Sequence, residues 1–248
     1  MKEYFIDIEA DYKQTVKQIW KDFENSNIFS DAEKEYRRYP LLPEKVYKNK
    51  LLFIGINPSF TKGSTIPEKD KNNDIGFYSE QLDQSKKDIP YFEKIKEVAN
   101  FCKTEWTHLD LFFLRETNQK IIEKLSLENI EFLNAQLRIS FEIIEKSEPK
   151  LIIVSNAFAS EFFGKMKAKH HLLNNIWRSF DLFFYNDERK NKKSTFNYEI
   201  GTYEIELNNK KIPIIFSGML SGQRALDIGS LERLKWQSKM ILEGKKMK

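Results

Sequence analysis

The chain of 248 residues is poor in the residue types that build metal and disulfide sites, with one cysteine, Cys102, and three histidines, His108, His170 and His171. A single cysteine excludes a disulfide framework, a four-cysteine zinc site and a four-cysteine iron–sulfur cluster. No metal and no cofactor are expected. No apolar run approaches the roughly 18–20 residues that a membrane span needs. The opening MKEYFIDIEADYK carries acids where a secretory signal would need an apolar core. These absences predict a cytoplasmic protein of the reducing compartment, without membrane attachment. Neither sign of charge dominates: 41 Lys+Arg against 37 Asp+Glu leave +4, which is compatible with a polyanionic partner and no evidence for one. With 40% hydrophobic residues, the chain can bury a sizeable core, and a single domain over 1–248, acting as a monomer, is expected.

Four apolar runs of β type stand out: LLFIGI at 51–56, HLDLFFL at 108–114, LIIV at 151–154 and IPIIF at 212–216. Short continuous apolar runs between turn signals suit strands buried on both faces, as in a parallel sheet. Helix-period segments lie at 12–23, 91–102, 127–146, 157–167 and 231–243. Within 127–146, Ile130, Leu133, Leu137, Phe141 and Ile144 recur at three or four residues and form one apolar stripe. This alternation predicts an α/β fold, a three-layer α/β/α sandwich around a central, mainly parallel four-stranded sheet. A helical lead-in is expected over about 1–47 and the α/β core over about 48–244. A hairpin turning at Asn208-Asn209 is expected before the last run, and the polar insertions at 62–74 and 186–194 are expected at the surface.

Sheets of this kind place their sites beyond the carboxyl ends of the strands. Two segments there carry candidate chemistry. Gly55-Ile56-Asn57-Pro58-Ser59 closes the first apolar run with a sharp turn and presents an amide side chain that can orient water or substrate. Phe216-Ser217-Gly218-Met219-Leu220-Ser221-Gly222-Gln223-Arg224 follows the last run. Its hydroxyls, backbone N–H groups and arginine suit phosphate contacts, and an apolar Leu220 between flexible neighbours suits a wedge in a base stack.

Together the two segments resemble the signature loops of the uracil-DNA glycosylase superfamily. Gly-Ile-Asn-Pro is the first loop as written in the mismatch-specific uracil and thymine-DNA glycosylase branch. FSGMLSGQRAL aligns without gaps on the uracil enzymes' second loop, HPSPLSAHRGF, keeping Leu220, Ser221 and Arg224. The order of strands, helices and loops matches from about residue 48 to 240. The resemblance implies a monofunctional DNA glycosylase acting on a flipped-out base in single- or double-stranded DNA. It implies that Asn57 positions the attacking water, that Leu220 is the wedge, and that Asp110 reads the base edge. It places backbone N–H groups near Ile56 and Phe60 at the base, and Phe77 or Tyr78 as its stacking platform. Lys62, Asn156, Ser217, Gly218, Ser221 and Arg224 become DNA contacts.

Three positions depart from the pattern. Where the uracil enzymes hold a histidine that stabilises the base's 2-carbonyl, this chain has Phe216, which cannot donate. Where they read the base with Asn, it has Asp110, which accepts from an exocyclic amine that cytosine offers and uracil lacks. Cytosine's ring nitrogen is an acceptor too, so this pairing requires a raised Asp110 pKa. Where they block carbon-5 with Tyr, it has Ser59. The combination points to a cytosine carrying a carbon-5 group, such as the glucosylated hydroxymethylcytosine of phage DNA, and hence to antiviral excision. Excision of uracil or mismatched thymine in repair, and a silent reader that binds modified bases without cleaving, remain the rivals.

Overall fold

The computed structural model describes residues 4–24, 40–59, 75–78, 90–163, 194–222 and 225–246. A six-stranded sheet lies at the centre, in the order β6-β4-β7-β10-β9-β8. Its strands are β4 (Leu51–Gly55), β6 (Trp106–Asp110), β7 (Leu151–Val154), β8 (Thr195–Asn197), β9 (Thr202–Leu207) and β10 (Lys210–Phe216). The four expected apolar strands β6, β4, β7 and β10 run parallel. The expected count of four is corrected to six because β9 folds back on β10 and β8 adds an antiparallel edge. The turn is Asn208-Asn209, both residues in the left-handed region (φ 49° and 61°), as a tight hairpin of right-handed twist requires. The edge strand β8, with its two leading residues exposed, carries no apolar run.

Side-chain alternation divides the core between the two faces. Leu52, Ile54, Leu109, Ile152, Val154 and Ile214 face one cluster. It is filled by α1 (Ile8–Asp22), α3 (Gln119–Glu128) and α4 (Ile130–Ser147). Leu51, Phe53, Trp106, Ile153 and Ile215 face the other, filled by α2 (Pro90–Cys102) and α5 (Ile228–Leu242). The result is a mixed α/β fold with helices on both sides of a mostly parallel sheet.

Several boundaries move for physical reasons. The lead-in is not wholly helical. β1 (Phe5–Asp7) pairs with β3 (Lys45–Tyr47), and β2 (Leu41–Pro43) with β5 (Gly76–Tyr78). α1 starts early because the Asp7 carboxylate caps it, accepting from Ala10 N–H at 3.1 Å. The helix expected over 127–146 breaks at Asn129, the C-cap of α3 and N-cap of α4. The run 108–114 is strand only to Asp110. Beyond it Leu111–Leu114 stay buried because Gly55 O and Ile56 O still take the N–H groups of Leu111 and Phe112 and side chains take the next ones. Gln136 Oε1 accepts from Phe113 N–H at 2.8 Å and Leu114 N–H at 3.2 Å, and Ser140 donates to Leu111 O at 2.7 Å. The segment after β7 is a short 3₁₀ turn, Ala159–Phe163, within the described residues. No helix of the described residues is long and apolar enough to cross a membrane.

Candidate functional site

The chain enters the parallel part at β4, adds β6 on one side, then returns to place β7 on the other. The crevice at such a reversal, beyond the carboxyl ends, is where open α/β sheets bind ligands. One row of residues lines it on the α2/α5 face. Gly55 stands beside Asp110 in the β4–β6 register. Ser155 and Ser217 continue the row, since their N–H groups bond Ile54 O at 3.0 Å and Val154 O at 2.9 Å.

Asp110 is 7% exposed. Its carboxyl lies directly over Gly55, where a β-carbon would stand 2.0 Å from Oδ1. The first glycine of the GINPS segment is therefore a space requirement, fixed by a side chain of the neighbouring strand. His108 Nε2 stands 3.8 Å from Oδ1, outside hydrogen-bond length. Burial pushes the Asp110 carboxyl up to about 8 and the His108 imidazole down to about 3, so both groups are neutral at pH 7.

Behind this pair lies a polar shell of which the sequence pointed to Tyr78 alone, and there as a stacking ring. The Tyr78 hydroxyl meets His108 Nδ1 at 3.1 Å and the His108 carbonyl at 3.2 Å. The Tyr91 hydroxyl meets Nε2 at 3.2 Å and Ser155 Oγ at 2.6 Å. Burial raises the Tyr91 phenol, with the Asp110 charge as a lesser cause. Phe92 packs edge-on against His108 at 5.4 Å. His108 and Asp110 share a strand at i, i+2, which signals a shared face. Tyr91 had no signal beyond its place on an amphipathic helix.

Asn57 is half-buried and its amide nitrogen is committed. Nδ2 donates to Glu116 O at 2.5 Å, Pro58 O at 3.0 Å and, more weakly, Leu114 O at 3.4 Å. Three carbonyls around Nδ2 fix the amide's orientation and leave Oδ1 as its acceptor. The side chain thus locks the turn after β4 to the segment after β6. Ile56 O accepts from Phe112 N–H at 2.9 Å and adds to the same lock. Ser59 is exposed, and its carbonyl accepts from Arg115 at 3.4–3.5 Å.

Other expected site residues fall elsewhere. Phe77 points into the α1/α4 cluster at 9% exposure, while Tyr78, one residue on, reaches His108. The stacking role is therefore corrected for Phe77. Phe216 projects to the face opposite Asp110, against Tyr203 at 5.1 Å and Phe163 at 6.4 Å, so it does not line the Asp110 crevice. Asn156 is 8% exposed, and its Oδ1 accepts from Phe158 and Ala159 N–H at 2.8 and 3.1 Å. It caps a turn and is not the exposed phosphate contact expected. Ser217 and Ser221 are half-buried. Gly218 is held close, since a β-carbon there would meet Leu226 Cδ2 at 3.0 Å.

The wedge also needs correction. Leu220 is 3% exposed and packs in the α2/α5 cluster, whereas Met219 beside it is 37% exposed. The loop folds back through a Met219–Ala225 bridge, with Leu226 N–H donating to Met219 O at 2.9 Å. That fold turns Leu220 inward and Met219 outward. Phe60, Lys62 and Arg224 lie outside the described residues.

Among the described residues, no three His, Cys, Asp or Glu side chains gather where they could hold a metal ion. The arrangement offers instead a buried neutral acid, an amide fixed by backbone carbonyls and two serine hydroxyls, all beyond the carboxyl ends of the parallel strands. Compared with known proteins, the chain matches no family model, no curated protein and no solved structure.

Proposed function

We propose that this chain is a DNA glycosylase that hydrolyses the N-glycosidic bond of a flipped-out, carbon-5-modified cytosine, such as glucosylated hydroxymethylcytosine in phage DNA, leaving an abasic site as an antiviral act. The observation that carries the reading is the Asp110 carboxyl, buried over Gly55 and pushed up to about 8. A neutral carboxyl offers one donor and one acceptor. That pair complements the N3 acceptor and exocyclic amine of cytosine. An ionised carboxylate, acceptor only, would face the N3 lone pair with its own. The raised pKa is the condition this pairing sets.

The attacking water falls to Asn57 Oδ1, because Nδ2 is occupied by backbone carbonyls. An amide is a poor base, so its contribution is orientation of the nucleophile near the sugar carbon as oxocarbenium character develops. Ser59, exposed and short, leaves room for a carbon-5 substituent beside it. Invasion of the duplex passes from Leu220 to Met219, the apolar side chain of the second loop that projects. Flipping the base into the crevice costs a few kcal/mol of unstacking, which these loop contacts offset.

The same neutral carboxyl favours one second reading. By turning its O–H toward a carbonyl and accepting from a ring N–H, it also fits uracil or thymine, and discrimination then rests on the carbon-5 side. The test is alkaline nicking of matched oligonucleotides carrying uracil, a thymine mismatch, cytosine, hydroxymethylcytosine or its glucosylated form. Nicking confined to the carbon-5-modified cytosines supports the proposal. Nicking at uracil replaces it with the repair reading. Tight binding without nicking anywhere leaves a silent reader.

A further inference from the structure

We propose that Asp110 is also the general acid of the reaction, giving its proton to ring nitrogen N3 of a cytosine-type base as the glycosidic bond breaks. This rests on the glycosylase reading above. A pyrimidine that leaves as an anion needs a donor for its developing charge. The second loop does not supply one from Phe216, which lies on the far face of the sheet against Tyr203 and Phe163. Protonating N3 lets the base leave neutral.

The groups facing Asp110 leave the proton with Asp110 itself. β4 contributes only Gly55, and a β-carbon there would meet the carboxyl and the imidazole together. β6 contributes His108, whose ring nitrogens are taken up by Tyr78 of β5 and Tyr91 of α2. β7 leads to the Ser155 hydroxyl, which bonds Tyr91 at 2.6 Å. The imidazole is uncharged, lowered to about 3 by burial, and the Tyr91 phenol is raised, so neither is an effective acid at neutral pH. Among the described residues, no cation in this shell stabilises the carboxylate before the base arrives. Asp110, at about 8, keeps its proton at pH 7 and remains acidic enough to share it with a ring nitrogen.

The step balances. The Asp110 O–H bond breaks and an N3–H bond forms. The C1′–N1 bond breaks with its electron pair passing into the base, which departs neutral. Water oriented by Asn57 Oδ1 bonds to C1′ through oxygen and releases its second proton to solvent. Asp110, left as carboxylate, takes a proton back from solvent.

The test separates reading from chemistry. Asp110→Asn keeps a donor and an acceptor for the same base edge but has no proton to transfer. On a duplex carrying one glucosylated hydroxymethylcytosine, we expect affinity by fluorescence anisotropy to be kept. Single-turnover excision should fall by about 10²–10⁴-fold. The wild-type rate should decline above about pH 8, and the variant's residual rate should lack that limb. A 3-deaza analogue with the same carbon-5 group, having C–H in place of N3, should bind the wild type more weakly and, with enzyme in excess over that Kd, resist excision. Asp110→Asn cleaving at the wild-type rate, or ready excision of the 3-deaza analogue, overturns the acid role and leaves the glycosylase reading standing. Absence of abasic product from the wild type on every oligonucleotide overturns both.

Discussion

Oδ1 of Asp110 occupies the space a β-carbon on Gly55 would take, with 2.0 Å between the two positions. The adjacent strands are therefore coupled through the candidate site. Gly55→Ala forces the carboxyl aside into a shell already closed by His108, and overpacking of this kind costs about 1–3 kcal/mol. Urea unfolding should report that loss, and excision should fall at least about tenfold. Adding Asp110→Ala to Gly55→Ala should recover most of the stability and none of the activity. Full activity in Gly55→Ala would separate Asp110 from the site.

Stability should depend on pH through the same two side chains. Asp110 is raised from its ordinary 3.8 to about 8, so the folded state holds a proton the unfolded chain releases. Its contribution is whole below about 3.8 and is lost as pH rises through about 8. His108 is lowered from 6.5 to about 3, so its contribution has the opposite slope and is complete by about pH 6.5. The two oppose each other between about 4 and 6.5, and the Asp110 loss stands alone from about 6.5 to 8. Thermal melts should show Tm falling over that upper window, and Asp110→Asn should flatten the fall. A flat wild-type profile there would mean the carboxyl ionises normally.

The parallel strands were legible from four short apolar runs because burial on both faces leaves no polar alternation. The Asn208-Asn209 hairpin was legible from its turn residues. The added edge was not, since β8 buries little and has no apolar signature. Nor was the end of β6, because the buried carboxamide of Gln136 and hydroxyl of Ser140, far along the chain, let an apolar segment leave the sheet without losing its hydrogen bonds. Within the site, Asp110 and Asn57 could be picked out by their positions after strands. The His108–Tyr91–Ser155 contacts join three separate elements, and no local spacing encodes them. Leu220 and Met219 are adjacent and similar in character; only the fold of their loop decides which one projects.

Asn57 has two roles that substitutions should split. Asn57→Ala should abolish cleavage while largely keeping DNA affinity. It should also cost about 1–3 kcal/mol, because backbone carbonyls near Glu116 lose their donor. Asn57→Asp should not recover activity. A carboxylate would set acceptor against acceptor at the carbonyls of Pro58 and Glu116. Wild-type cleavage by either variant would remove Asn57 from the mechanism.

The second loop makes a contrasting pair. Leu220→Ala opens a cavity in the α2/α5 core and should destabilise by about 2–5 kcal/mol, lowering action on single and double strands alike. Met219→Ala should leave Tm nearly unchanged and weaken action on duplex more than on single strands. The reverse pattern would return the wedge to Leu220.

The most direct measurement is the identity of the base released. Purified wild type and Asn57→Ala would be incubated with DNA carrying glucosylated hydroxymethylcytosine and, separately, with uracil-containing DNA, and the small-molecule fraction read by mass spectrometry. The expected result is free glucosylated hydroxymethylcytosine from the wild type alone, with an equal number of abasic sites in the strand. Free uracil with no modified cytosine, or no released base from either DNA, would contradict it.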